Sequence, residues 1–534
     1  MFPSSAFIDS LQNDLSRDLM AFLPELLLCG AIVLMLLLRL FTALSRVHVG
    51  YVALTMTGAA LLVAIEQWLG NPAYDPGVNQ KLQIFTGLLV YDTFALYVRL
   101  FLLAFLILTL CLTLLTGIPD RDDSADFSTL LLGSTVGMMM MASANHLMTA
   151  FIAIEMASVP SYALAGFLKG RKQGSEAALK YVVYGASASG IMLYGISLLA
   201  GRFSTGYLPD LVQGYQAVLM SSGFDAVLVA GTLFIVVGLC FKLAAVPFHF
   251  WCPDVFEGAA AEVAAFLSVA SKGAALALTA RFLLSMAGPS GSQSIVLLGG
   301  SLGLLLATIA AMTASLGNLA ALGQTNLKRL LAYSTIAHAG YMLMALVSFS
   351  TTGASAVLFY LVAYLLMNMG AFACVAFLRN FTGSEDLSSF AGLIHRAPLL
   401  VVTFAVFLLA LLGLPPLVGF AAKFQVFVVL FDSGRTYAET LPTLSYAFYG
   451  LLIIAGVNTV ISAVYYLKIL RVMILDAPPE TETKPLRLPI GAALFVSILA
   501  VLTIVAGVLW NPVTDAANRG VESLRPVKVE VRLK

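Results

Sequence analysis

Residues 238–258 read GLCFKLAAVPFHFWCPDVFEG, and the fold follows from how this stretch is read. Lys242 stands inside an apolar run that begins near residue 225, one helical turn before Pro247. Proline removes a backbone donor and frees a carbonyl, and lipid has nothing to pair with either. A charged amine beside such a break is tolerated at membrane depth only where both face protein or a wet cavity. The stretch therefore predicts one broken span in a many-helix membrane bundle.

The rest of the chain agrees. Of 534 residues, 60% are hydrophobic and 11% charged, against about 25% charged in a soluble domain. A bilayer core needs about 20 apolar residues per helix. Fourteen such runs are present, near 20–41, 47–68, 89–116, 127–143, 146–168, 176–200, 225–249, 259–285, 294–317, 328–349, 354–380, 398–431, 445–474 and 488–511. The fold class is all-α and polytopic. A net charge of +1 argues against a nucleic-acid binder. Cys29, Cys111, Cys240, Cys252 and Cys374 are scattered without CxxC spacing, which predicts small hydrophobes in helices rather than a disulfide framework or an iron–sulfur site. Met1 to Arg17 lacks the basic start and cleavage site of a signal peptide, so the first run is expected to be kept.

Lysine and arginine set the expected topology, because inside loops are enriched in them. With the N-terminus outside, inside loops hold Arg39, Arg46, Arg121, Lys169, Arg171, Lys172, Lys328, Arg329, Arg379, Arg396, Lys468, Arg471, Lys484 and Arg487. Outside segments hold Arg17, Lys81, Arg202, Arg281 and Arg435. This bias predicts an even span count with both ends outside; the basic tail (Arg519, Arg525, Lys528, Arg532, Lys534) runs against it.

Arg99, Lys180, Lys242, Lys272 and Lys423 fall within spans, as does Glu155 in FIAIEMASVPSYALAG. A lysine at the centre of a membrane helix costs at least ~2.5–3.5 kcal/mol on insertion scales, so several together need a function or partners. Burial disfavours the charged form of lysine and carboxylate alike, and a nearby opposite charge restores it. A Glu–Lys pair of variable spacing is therefore a proton switch. Glu155, Lys180 and Lys242 are the expected members of such a set. His338, in LAYSTIAHAGYM, is a candidate relay, with His249 and Lys328 as accessory candidates. Arg99 divides between snorkelling at a span end and burial, while Glu25 and Asp92 read as structural or interfacial.

Lys423 follows Pro415, Pro416 and Gly419 in LLGLPPLVGFAAKFQVF, a second break beside a lysine. Breaks at matching places mark an inverted-repeat transporter. Five spans per repeat set the seventh opposite the twelfth, and the odd number inverts the second copy. The expected organisation is a three-helix segment (1–125), a first repeat (126–290), a second, inverted repeat (291–475) and a last helix with its tail (476–534). Neither GxxxxGK[ST], nor GxGxxG after a strand, nor histidines at haem-ligand spacing occur, so no nucleotide, metal or cofactor site is expected in this chain.

FKLAAVPFHFWCPDVFEGA, FLSVASKGAA, SEAALKYVVYGASASGIMLYGISLLAG, NLKRLLAYSTIAHAGYM and GLPPLVGFAAKF together resemble the antiporter-like subunits of respiratory complex I, most closely the N-type, over roughly residues 85–475. That family also includes subunits of multisubunit sodium/proton antiporters. The resemblance implies proton pumping by a membrane-arm subunit of NADH-quinone oxidoreductase, with FMN, iron–sulfur clusters and quinone held by other subunits and M-type and K-type neighbours in the bilayer. It matches Glu155 to the glutamate of the fifth helix, Lys242 to the lysine of the broken seventh, Lys272 to that of the eighth and Lys423 to that of the broken twelfth. Lysine at that last position suits N and L, and the chain has no room after residue 512 for the lateral helix of L. Three spans before the repeats resemble bacterial or plastid forms, which implies a bacterial inner membrane. The alternatives are a sodium/proton antiporter subunit, an N-type subunit of a ferredoxin- or coenzyme F420-linked dehydrogenase, or a structural scaffold. In one place the chain departs: after PDVFEGA the family usually continues Pro-Thr-Pro-Val, whereas Ala260, Ala261, Glu262 and Val263 stand here. Losing the prolines should smooth the start of the eighth helix and leave an extra acid near a membrane surface.

Overall fold

The computed structural model describes residues 14–40, 49–71, 82–120, 123–168, 170, 172–221, 225–287, 299–478 and 486–524. Arg46, Lys81, Arg121, Lys169, Arg171, Lys484 and the basic residues from Arg525 onward lie outside these.

Three helices come first: α1 (Leu23–Leu40), α2 (Val49–Leu69) and α3 (Thr93–Thr116). A short hairpin, β1 (Leu82–Ile84) and β2 (Leu89–Tyr91), pairs Leu82 with Tyr91 just ahead of α3. Asp92 caps α3 by accepting from the Ala95 amide at 2.8 Å, and Gly117, at φ 72°, ends it. Then follow α4 (Ser124–Ser143), α5 (Leu147–Ala165), α6 (Lys172–Phe203), the shorter α7 (Leu208–Ser221), α8 (Ala226–Leu243) and α9 (Trp251–Gly258). The next helix, α10 (Ala261–Ala287), contains a π segment at Leu267–Ser271 and is buried along its length. The remainder comprises α11 (Leu304–Leu322), α12 (Leu327–Leu346), α13 (Thr351–Thr382), α14 (Pro398–Leu412), α15 (Val418–Thr436), α16 (Pro442–Ile474), α17 (Ile490–Val508) and α18 (Asn511–Gly520).

Among the described residues, eleven helices are long and apolar enough to cross a membrane, or thirteen if two bent pairs each count as one span. The run at 328–349 forms α12, which Lys328, Arg329 and His338 make less apolar than these. Protein rather than lipid surrounds it, since nearly every residue from Leu327 to Leu346 is buried. Conversely α16 and α17 expose most of their apolar surface, including Ile453, Val460, Leu494 and Val501, as elements at a lipid or subunit boundary do.

Two spans are interrupted where proline predicted it. The chain leaves α8 through Ala244, in the left-handed region at φ 53°, and runs irregularly to α9. It leaves α14 through Gly413, at φ 91°, before resuming as α15. The Val246 amide, freed from helical pairing, donates to Thr313 Oγ1 at 3.0 Å. Gly419 does not itself form the second break; it lies in the first turn of α15, where a Cβ would come within 1.8 Å of the Ala410 carbonyl oxygen. Helix pairs α4/α5 and α11/α12 share a close approach, Gly137 backing onto Ala157 in one and Gly317 onto Ala337 in the other.

Candidate functional site

The two lysines beside the breaks meet similar chemistry. A helix ends in carbonyls without intrahelical partners and a partial negative charge, and a break leaves such an end inside the protein. Lys242 lies in the last turn of α8, buried, and its ammonium donates to Ser158 Oγ on α5 at 2.9 Å. Lys423 reaches back from α15 to donate to the carbonyl of Leu412, the last residue of α14, at 2.8 Å. Its stem lies across Gly413 and its ammonium sits 5.0 Å from the centre of the Tyr341 ring.

Glu155 is half-buried one turn before Ser158 and accepts from Ser189 Oγ. It lies within electrostatic reach of Lys242. Lys180 is not with them. Its side chain is 38% exposed and pairs with Asp254 at 2.6 Å and Glu176 at 2.8 Å. These two carboxylates, one turn back and across on α9, are nearer than Glu155. Arg329 joins the same group, bonding Asp254 and Glu257 at 2.7 Å each. His249, in the first break, lines a cavity of ≈ 370 Å³ with Lys180, Asp254 and Arg329.

Lys272 follows the π segment of α10, is buried, and has Cys252 Sγ at 3.9 Å. His338 lies within electrostatic reach of both Lys272 and Lys423. Its Nδ1 shares a hydrogen bond with Tyr360 OH at 2.7 Å, and on the other side Tyr466 OH is 3.4 Å from Nε2 and 2.5 Å from Ser334 Oγ. Lys328 is buried between the Ala259 carbonyl at 2.6 Å and Glu385 at 2.9 Å. The chain thus holds Glu155, Lys242, Lys272, His338 and Lys423 as buried or half-buried ionisable groups; Glu155, Lys242 and His338 each meet a hydroxyl, Lys272 a thiol and Lys423 a backbone carbonyl, while Lys180 and Lys328 belong to ion pairs. Groups of this kind, within hydrogen-bond reach of hydroxyls, can pass protons when their spacing changes.

Sequence reasoning placed three other charges wrongly or left them open. Arg281, counted with an outside loop, is buried near the end of α10. It holds Asp92 through both guanidinium ends at 2.9 Å and donates to the Ala142 carbonyl at 2.7 Å. Arg99 does not snorkel; it is fully buried with Glu25 at 2.6 Å. Glu262, expected near a surface, is fully buried. One signal was available: Arg281 stands inside an apolar run, ALALTARFLLSMA, where a charge needs a buried carboxylate or backbone carbonyls to hold it.

Residues 144–448 match the family described as NADH:quinone oxidoreductase/Mrp antiporter, transmembrane. NADH-quinone oxidoreductase subunit N of Anaeromyxobacter sp. strain Fw109-5 is 39% identical over 95% of this chain and 98% of its own. Among solved structures, a chain of respiratory complex I from Thermus thermophilus with bound aureothin is 31% identical, with a TM-score of 0.72 over 93% of this chain and 100% of that one. A chain of the Mrp complex from Dietzia sp. DQ12-45-1b shares the fold at a TM-score of 0.79 and 18% identity, covering 96% and 98%. The chain belongs to the NADH:quinone oxidoreductase/Mrp antiporter membrane family and, within it, to the NADH-quinone oxidoreductase subunit N group.

Proposed function

We propose that this chain is the proton-translocating N-type subunit of the membrane arm of an NADH-quinone oxidoreductase, driven by electron transfer in other subunits. The observation that carries the reading is a full-length relationship to subunit N in a chain whose buried lysines sit at the ends of broken helices. Protons enter the Glu155–Lys242 group, where a change in spacing alters which form of the lysine is favoured. They pass by Lys272 and His338, and Lys423 releases them. Lys180 and Lys328 tune the ends of this route through their ion pairs, and His249 gives the first break a wet, titratable wall.

Two inverted five-helix repeats fit this path. The shared glycine contacts in α4/α5 and α11/α12, and a lysine at each interrupted span, support that organisation. The basic-residue bias favours both termini on the outer side of a bacterial inner membrane. M-type and K-type subunits are the expected neighbours, and FMN, iron–sulfur clusters and quinone are assigned to other chains.

In closed vesicles carrying the assembled complex, Lys242→Ala and Lys423→Met should each lower the number of protons moved per electron while NADH still delivers electrons to quinone. Unaltered proton-to-electron ratios in both variants would leave only a scaffold role. Vectorial sodium or proton exchange by the chain without any oxidoreductase would favour the antiporter alternative instead.

A further inference from the structure

Glu262 is used by nothing described so far, yet it is fully buried in the first turn of α10 and neither carboxylate oxygen makes a hydrogen bond within the described protein. Its nearest cation is Arg379 on α13, at 4.0 Å, and Arg379 Nη1 likewise makes none. Buried polar atoms are nearly always paired, with protein or with ordered water. At 4.0 Å the two charged groups attract each other without a direct hydrogen bond, which leaves both with capacity for water.

Arg379 forms part of the wall of a polar cavity of ≈ 690 Å³ that Asn326, Glu385 and Asp386 also line. Glu262 therefore stands one side chain behind a charged, polar mouth. Other buried atoms without partners lie farther along the same helix and on its neighbour. On α10, Ser268 Oγ accepts from Asn368 Nδ2 of α13 at 2.5 Å, while Asn368 Oδ1 and Ser271 Oγ are buried and make no hydrogen bond. Lys272 is the next residue. Ten residues of helix carry this line about 15 Å from Glu262 to Lys272.

We propose that Glu262 is the proton-accepting group of a separate inlet, running between α10 and α13 through water held at Asn368 and Ser271, which loads Lys272 from the cavity behind Arg379. Hydronium in the cavity protonates the Glu262 carboxylate; the acid gives that proton through water to the neutral Lys272 amine, and the carboxylate is restored. Arg379 keeps the carboxylate in place between transfers. The inlet rests on the reading of the chain as a proton pump, and adds to it a loading route distinct from Glu155 and Lys242.

The experiment measures protons moved per electron in closed vesicles bearing the assembled complex. Glu262→Gln and, independently, Asn368→Leu should lower the ratio towards that of Lys423→Met, and Glu262→Asp should restore it. If Glu262 merely neutralises Arg379, the double variant Glu262→Gln with Arg379→Gln will recover the full ratio, and that recovery overturns the inlet. A normal ratio in Glu262→Gln overturns it as well, provided Lys423→Met is impaired in the same preparation. If Lys423→Met also pumps normally, the pump reading fails, and the inlet falls with it.

Discussion

At the scale of single residues, this chain handles charge in two ways. Some charges are locked. Asp92 and Arg281 meet through two hydrogen bonds of 2.9 Å with almost no exposure to solvent, and such a pair is costly to break because one charge is left alone in a low-dielectric interior. Asp92→Ala should therefore destabilise the fold by ~3–5 kcal/mol, seen as a lower thermal midpoint and less assembled complex. Replacing Arg281 with Leu in the same chain should recover part of that loss; a single variant that melts like the unaltered chain would deny the pair a structural role. Other charges are held by one weak or neutral partner, as Lys242 is by a serine hydroxyl and Lys423 by a backbone carbonyl. These are free to gain and lose a proton without collapsing an ion pair. The sequence separates the two kinds poorly, since Arg281 and Lys272 both stand in apolar runs of α10. What sets them apart is the partner, and that of Arg281, Asp92, lies 189 positions away in the chain.

Among the elements, the spans were legible because each is a long apolar run, and both breaks were legible because proline stands beside a buried lysine, whereas Pro160 alone leaves α5 continuous. Less legible was what each breaker does. Gly419 reads as part of a break but acts as a contact, letting the first turn of α15 press on the last turns of α14. Gly419→Ala should force these segments apart, an overpacking cost of about 1–3 kcal/mol or more, whereas Gly456→Ala on α16 meets nothing within 4 Å and should be tolerated. Thermal unfolding of the two variants in detergent makes the comparison; equal stability would show that the interrupted span is looser than this packing implies. The smoothing expected from Ala260 and Ala261 is seen only in that α10 starts regularly at Ala261. The π segment farther along was not foreseen, because no residue type in LSVAS demands one.

For the molecule as a whole, hydropathy gave the order of spans but not which span faces protein. Lys328, Arg329 and His338 make α12 less apolar than its neighbours, and the fold turns Lys328 and His338 inward to Glu385, Tyr360 and Tyr466. The seam between α9 and α12 is likewise polar: Arg329 and Lys328 of α12 hold Asp254 and Glu257 of α9 and the Ala259 carbonyl just after it. That seam lies next to an optical probe. Only three tryptophans occur in the sequence. Trp251 begins α9, stacks on Tyr181 with ring centres 4.3 Å apart, and donates its indole N–H to the carbonyl of Phe241, the residue before Lys242. Any rearrangement of the first break must change that bond, and indole emission is sensitive to hydrogen bonding and local polarity. The difference in fluorescence between complexes with and without Trp251→Phe isolates this one chromophore, and its spectrum should shift when Lys242 is replaced by Ala. An identical spectrum in both backgrounds would mean that the break keeps its shape whatever charge stands beside it.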